Sequence, residues 1–276
     1  MIKKIENLLK SAGIEEASAE AKLIITSVSN QSIEEIVLNK NIKNEDKILD
    51  AVNKRIKTGK PIQQILGFGY FMNSKYKVNE NVLIPRDETE LLVLEGYNLV
   101  KSLKNKINIL EIGTGSGCIS IELAKKLSDK DIEILSVDIS SPAIQTALEN
   151  ADNQGVIRKV IFRKSDIYSK IRPIEKFDLI ISNPPYIPIN QKKTLQKEVL
   201  FEPESALFTN DDEGLEYYKK IISDADKFLK PSGYVAFEVG HGQSKKVKNV
   251  FEADNFKNIK ITKDLAGIER VISAQI

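Results

Sequence analysis

From residue 107 onward the chain alternates short apolar runs with segments of helical spacing, and nothing else in the sequence narrows the fold as far. The runs are INILEI (107–112), IEILSVD (132–138), KVIFRK (159–164), FDLIIS (177–182), YVAFEV (234–239), NIKITKD (258–264) and RVISAQ (270–275). Helical segments lie between most of them. Ser141-Pro142 reads as a cap with proline in the first turn, opening AIQTALENA. This pattern predicts an α/β fold, an open and mainly parallel sheet with helices on both faces.

The 276 residues allow about two domains. Residues 1–72 read as a small helical bundle, with apolar stripes at Ile2, Ile5, Leu8 and Leu9; at Ala19, Leu23, Ile24 and Val28 behind a cap at Ser18; at Ile33, Ile36 and Val37; and at Ile48, Ala51, Val52 and Ile56. Residues 62–86 turn to period-2 alternation, with a turn signal at Asn79-Glu80-Asn81. A β-hairpin linker is therefore expected over 73–86. The α/β domain fills 87–276, opening with a helix from Glu88 to about Leu103.

Composition excludes several classes. Lys plus Arg number 41 against 39 Asp plus Glu, a net charge of +2, too small an excess for a protein that coats nucleic acid. One cysteine, Cys118, excludes an intrachain disulfide and a Cys-rich zinc site, and one histidine, His241, disfavours a His-based metal cluster. No run approaches the roughly 20 apolar residues that span a bilayer, and the N-terminus lacks a signal-peptide core. The expectation is a cytoplasmic protein, without membrane or metal.

The first chemical signal is LEIGTGSGCIS. A strand ends at Glu111-Ile112, and Gly113, Gly115 and Gly117 then alternate ahead of a helix. Alternate glycines let backbone turn tightly and approach a ligand closely. A dinucleotide fingerprint needs its third glycine at position 118, which is Cys118, and no Gly-Lys-Ser/Thr phosphate loop is present. Glu111 ends the first strand, where a carboxylate suits a cationic ligand. Asp138 ends the second strand, where a carboxylate binds ribose hydroxyls. Asp166 follows the third, placed to accept from an adenine amine. Ribose, adenine and no pyrophosphate grip point to S-adenosylmethionine.

The second signal is FDLIISNPPYIP. Ligands of open α/β sheets bind beyond the carboxyl ends of strands, so this loop and the glycine loop share a crevice. Pro184 and Pro185 fix the backbone and lack N–H donors, leaving carbonyls as acceptors. The Asn183 side-chain oxygen and the Pro184 carbonyl can hold both N–H bonds of a planar NH2 group, aiming its nitrogen at a methyl donor. The face of Tyr186 can stack on a flat amide or base.

Eight segments match one family as they stand: PIQQILGFGYF (61–71), VLIPRDETELLV (82–93), LEIGTGSGCISI (110–121), SVDIS (136–140), ISNPPYIP (181–188), EVLFEPESALF (198–208), EVGHGQ (238–243) and DLAGIERVI (264–272). The chain resembles the peptide-chain-release-factor glutamine methyltransferases, the PrmC/HemK family, over essentially its whole length. The resemblance implies a Rossmann-like seven-stranded methyltransferase domain behind an N-terminal helical domain that binds substrate. It implies methyl transfer from S-adenosylmethionine, leaving S-adenosylhomocysteine, to the glutamine of the Gly-Gly-Gln loop in class I release factors.

Carried over by position, Glu111, Gly113, Thr114, Gly115, Ser116, Gly117, Asp138, Ile139, Asp166, Ile167 and Asn183 would hold the cofactor. Asn183, Pro184, Pro185 and Tyr186 would bind the glutamine. A monomer is expected from the same resemblance. Arg86 and Glu90 read equally well as the rim of the site or as surface ion pairs. The segment 198–208 is expected to fold over the site, with Glu198, Glu202 and Glu204 solvated. Two positions depart from the family: Asp87 stands where proline is common, and Ile167 where an aromatic often edges the adenine, with Tyr168 next. The alternatives are an amino-methyltransferase acting on DNA adenine or cytosine, one acting on another protein glutamine, and a non-enzymatic scaffold.

Overall fold

The computed structural model describes residues 1–39 and 41–276, and these divide into two units: Met1–Phe68 with Gln196–Phe201, and Gly69–Leu195 with Glu202–Ile276. The sequence pattern puts the first boundary at residue 72 and leaves 196–201 with the second domain. By contacts the first unit closes at Phe68 and draws that short segment to itself.

The first unit holds α1 (Ile2–Ser11), α2 (Ala17–Ser29), α3 (Ile33–Asn39), α4 (Glu45–Thr58) and α5 (Ile62–Leu66). Its core is Ile5, Leu9, Ile24, Ile25, Ile48 and Val52. The buried face of α2 runs through Ala17, Ala21, Ile24 and Ile25, and Glu16, not Ser18, sits at its N-cap. One charge lies inside. Arg55 is 2% exposed and its fork meets both Glu20 oxygens at 2.8 Å, while Glu198 of the segment 196–201 pairs with the same guanidinium. A buried arginine left unpaired would be costly, and this bidentate geometry satisfies it. Glu198 is therefore an ion-pair partner here, while 43% of its side chain stays exposed to solvent.

The hairpin is β1 (Phe68–Phe71) and β2 (Ser74–Lys77). Its turn falls on Met72 and Asn73, both with positive φ, and not on 79–81. Asn79 and Asn81 form a separate side-chain turn, in which Asn81 N–H donates to Asn79 Oδ1 at 2.9 Å.

The second unit then runs α6 (Asp87–Val100), β3 (Ile107–Ile112), α7 (Cys118–Lys126), β4 (Ile132–Asp138), α8 (Ser141–Asn153), β5 (Val160–Lys164), β6 (Phe177–Ser182), β7 (Ile187–Pro188), α9 (Glu204–Leu207), β8 (Phe208–Thr209), α10 (Glu216–Ala225), β9 (Leu229–Glu238), α11 (Ser244–Ala253), β10 (Lys257–Lys263) and β11 (Glu269–Gln275). Seven strands form one sheet in the order β10-β11-β9-β6-β3-β4-β5. All are parallel except β11, which runs against both its neighbours. The buried strands β3, β4 and β6 are mostly apolar because helices cover both faces. One face packs Leu92, Val93, Ile121 and Leu123, and the other Tyr218, Ile221, Phe237 and Phe251. This is the expected Rossmann-like sheet of seven strands. Among the described residues no helix is long and apolar enough to cross a membrane.

Candidate active site

The chain order reverses direction across the sheet at β3, with β4 on one side and β6 on the other, so the crevice opens beyond the carboxyl ends of these strands. A cleft there holds about 1130 Å³ of empty space, its open mouth included. Its wall brings together the glycine loop (Gly113, Thr114, Gly115, Ser116), the end of β4 (Asp138, Ile139), the turn after β5 (Asp166, Ile167) and the loop after β6 (Asn183, Pro184, Pro185). Arg86 and Thr89 complete it from the start of α6. Three residues singled out from the sequence, Glu111, Gly117 and Tyr186, do not line the cleft.

The three loop glycines all have positive φ, 82°, 54° and 82°. A Cβ on Gly115 would meet nothing within 4 Å, whereas one on Gly117 would lie 3.1 Å from both Ala147 and Ile121. Gly115 thus leaves backbone open toward the cleft, and Gly117 lets α7 pack closely on α8. Asp138 anchors the loop: Gly115 N–H donates to Oδ2 at 2.9 Å and Ser140 N–H to Oδ1 at 2.8 Å. Each carboxylate oxygen keeps capacity for a further donor. Burial pushes this carboxyl above its ordinary range, against the backbone donors that lower it.

Glu111 sits beneath the loop. Ser136 donates to its Oε2 and shares a 2.6 Å hydrogen bond with Thr114, while Oε1 is buried with no hydrogen-bond partner among the described residues. Burial pushes the Glu111 carboxyl up to about 7 from an ordinary 4.5. The folded protein therefore holds this proton more tightly than the unfolded chain. The associated stability is fully present below about 4.5 and is lost as pH rises through about 7. In Glu111→Gln that slope should vanish, a difference on the order of 3 kcal/mol between the two pH limits. Urea unfolding of both proteins at stepped pH measures it; parallel stability curves would refute the assignment.

The turn after β5 holds Ile167 at φ 46°, a left-handed conformation that costs a branched side chain about 1–2 kcal/mol. Ser165 secures it, its hydroxyl donating to the Ile167 carbonyl at 2.9 Å and accepting from Lys170 N–H at 3.0 Å. Tyr168 turns away from the cleft. It is buried, stacks on Phe228 at 4.5 Å and donates its hydroxyl to the Ile221 carbonyl at 2.9 Å. Of this turn it is Ile167 that faces the cleft, and the aromatic lining the cleft is Tyr217 of α10.

Tyr186 holds the Asn-Pro-Pro loop from behind. Its carbonyl accepts from Gln243 Nε2 at 3.0 Å, and burial pushes its hydroxyl well above the ordinary tyrosine range. Glu202 is 4% exposed, accepts from Ile84 N–H at 3.0 Å and pairs with Arg86. Of the three glutamates expected to be solvated, it is the one that the fold buries. The Arg86 alternatives meet here, since its ion pair is itself part of the cleft wall. Glu90 accepts from Met72 N–H at 2.8 Å, a structural contact to the hairpin. Cys118 is buried at the start of α7, where it lines the cleft, with its thiol pushed up to about 12, mainly by burial, and His241 is exposed in a turn.

Sequence patterning missed Thr89, Glu238 and Gln243 as parts of the site. Glu238 is the last residue of β9, and Thr89 donates to its Oε2 at 2.6 Å. Burial pushes the Glu238 carboxyl up to about 7. The only available signal was the matched segments VLIPRDETELLV and EVGHGQ, which carry no chemistry of their own until the fold joins them.

A methyltransferase-domain family model matches residues 103–266, and a PrmC N-terminal domain model matches residues 1–67. A methyltransferase from Pyrococcus furiosus shares the fold, with a TM-score of 0.53 and 17% identity over 81% of this chain and 96% of that one. Sheet, cleft and loops define a methyltransferase of the open α/β type. The release factor glutamine methyltransferase of Fusobacterium nucleatum is 39% identical over 272 residues, covering 97% of this chain and 75% of that protein. That of Flavobacterium psychrophilum is 41% identical over 231 residues, covering 81% and 78%. The chain belongs to the family of release factor glutamine methyltransferases.

Proposed function

We propose that the chain transfers a methyl group from S-adenosylmethionine to the side-chain amide nitrogen of the glutamine in the Gly-Gly-Gln loop of class I release factors. The observation that carries this is the placement of Asn183 and Pro184 on the same cleft wall as the glycine loop and Asp138. The family's named activity supports the substrate.

The residues present fit the cofactor. Among the described residues lining the cleft, Arg86 is the one cation, and it is already paired with Glu202, so the site suits a ligand without phosphates. Asp138 retains acceptors for a ribose diol, Asp166 and Ile167 stand where an adenine would lie, and Ile139, 55% exposed, offers an apolar surface at the mouth. The orphaned Glu111 oxygen leaves an unfilled acceptor beneath the glycine loop. S-adenosylmethionine, when bound, supplies an electrophilic methyl group on a sulfonium sulfur.

The chain's own residues do the orienting. The Asn183 side-chain oxygen and the Pro184 carbonyl accept the two N–H bonds of the glutamine amide. This points the nitrogen lone pair out of the amide plane and stabilises positive charge as it develops there. The nitrogen gains the methyl and afterwards releases one proton, so no strong base is needed before attack. Tyr186 and Gln243 keep the loop in place. The helical unit serves to grip the protein substrate.

Mass spectrometry of a purified class I release factor incubated with the protein and S-adenosylmethionine tests the reading. The expected result is a gain of one methyl mapped to the Gly-Gly-Gln peptide. No gain, with cofactor binding shown by calorimetry, would overturn the substrate and move the reaction to another glutamine-bearing protein.

A further inference from the structure

We propose that Thr89 and Glu238 are positioning residues that fix which end of the Asn183 side-chain amide faces the cleft. The inference rests on the methyl-transfer reading given above. Three elements meet to build it. Ser182 of β6 pairs with Phe237 of β9 in parallel register, so Asn183 and Glu238 leave the sheet side by side at the same end. The first turn of α6 then lays Thr89 against both. Asn183 Nδ2 donates to Thr89 Oγ1 at 3.2 Å, and Thr89 Oγ1 donates to Glu238 Oε2 at 2.6 Å. Thr89 and Glu238 are each 3% exposed, so water does not compete for these bonds.

The direction of the chain follows from donor arithmetic. A threonine hydroxyl has one hydrogen, and a carboxylate only accepts. With Glu238 ionised, at a pH above the value of about 7 to which burial pushes it, Thr89 commits its hydrogen to Glu238 and offers lone pairs to its other neighbour. That neighbour must be the NH2 end of Asn183, which leaves the Asn183 oxygen as the end available to the substrate amide. With glutamine at 238 the order is no longer dictated. A side-chain NH2 there can donate to Thr89, whose hydrogen is then free to meet the Asn183 oxygen, turning the wrong end of Asn183 outward. With valine at 89 the relay is absent altogether.

The test compares wild type, Thr89→Val, Thr89→Ser and Glu238→Gln. Turnover and KM are measured with release factor, and cofactor affinity by calorimetry. The Asn183 side-chain NH2 signals are followed by 15N NMR in ligand-free protein labelled at asparagine amides and assigned by their loss in Asn183→Asp. Thr89→Val and Glu238→Gln should lower kcat by about 10–100-fold, the usual scale for removing a group that orients a working side chain, with KM and cofactor affinity unmoved. Both should shift the Asn183 NH2 signals. Thr89→Ser, which keeps the hydroxyl, should recover most of the turnover lost in Thr89→Val and leave the signals in place.

Unmoved signals in Thr89→Val and Glu238→Gln would overturn the relay, and moved signals with wild-type kcat would overturn its role in positioning. Should Thr89→Val fail to fold, Glu238→Gln decides alone. If wild type methylates no release factor, the functional reading fails instead, and the NMR comparison, which needs no substrate, still decides the relay.

Discussion

Replacing Asn183 by alanine should cut turnover by about 10² or more while leaving S-adenosylmethionine affinity nearly unchanged, by analogy with the loss of one positioned hydrogen-bonding group elsewhere. The split follows from where the side chain stands. Asn183 is partly buried on the cleft wall, and its nitrogen is tied back to Thr89 at 3.2 Å. Its backbone sits in a loop that Pro184 and Pro185 stiffen, so truncating the side chain leaves the loop's path unchanged. The cofactor's expected contacts with the glycine loop, Asp138 and the turn at Ile167 are untouched. What disappears is one of two acceptors for the substrate amide. The remaining one, the Pro184 carbonyl, can still bind an N–H but cannot fix the amide plane by itself. Single-turnover kinetics with release factor, set beside calorimetric titration of the cofactor, separates the two effects. Equal turnover in variant and wild type would remove Asn183 from the reaction.

The strands were legible because their signal is local. INILEI, IEILSVD and FDLIIS coincide with β3, β4 and β6, where burial on both faces favours mostly apolar runs. β9 was read short. It begins at Leu229 and carries Pro231, Ser232 and Gly233 through an irregular register, residues that look like a loop when judged by propensity. The hairpin turn departs from the predicted 79–81 for a related reason. Met72 adopts φ 46° with Asn73 at 67°, and no Asn-Gly pair announces it, whereas Asn79 and Asn81 supply a conspicuous but different turn.

In the site, the glycine loop, Asp138 and the Asn-Pro-Pro loop are continuous motifs, and they were found. Thr89 and Glu238 stand 149 residues apart in the chain, and neither type announces a function by itself. Their meeting depends on the β6–β9 register and on the entry of α6, which are properties of the folded sheet. Glu202 shows the same limit. Its burial follows from Arg86 and the Ile84 N–H, neither of which neighbours it in sequence.

The same reasoning makes Gly214→Ala the most damaging small substitution near the cleft. Gly214 has φ 70°, and a Cβ there would fall 2.1 Å from the Tyr186 carbonyl oxygen and 2.4 Å from Gln243 Nε2. Backbone cannot retreat as the tip of a side chain can. The methyl would therefore push apart the contact in which Gln243 Nε2 donates to the Tyr186 and Glu213 carbonyls, at 3.0 Å each. Left-handed strain and overpacking together should cost on the order of 3 kcal/mol. In a chain of this size that lowers Tm by about 5 °C. Because the displaced atom belongs to Tyr186, turnover should fall as well, even at temperatures where the variant is fully folded. Gly242→Ala provides the comparison. Its φ is 77°, but a Cβ there meets nothing within 4 Å, so it carries the conformational strain alone. Calorimetric melting and turnover of the two variants, measured side by side, isolate the steric part. Matching Tm losses, with wild-type turnover in Gly214→Ala, would mean that the Tyr186 carbonyl does not hold the Asn-Pro-Pro loop in its working position.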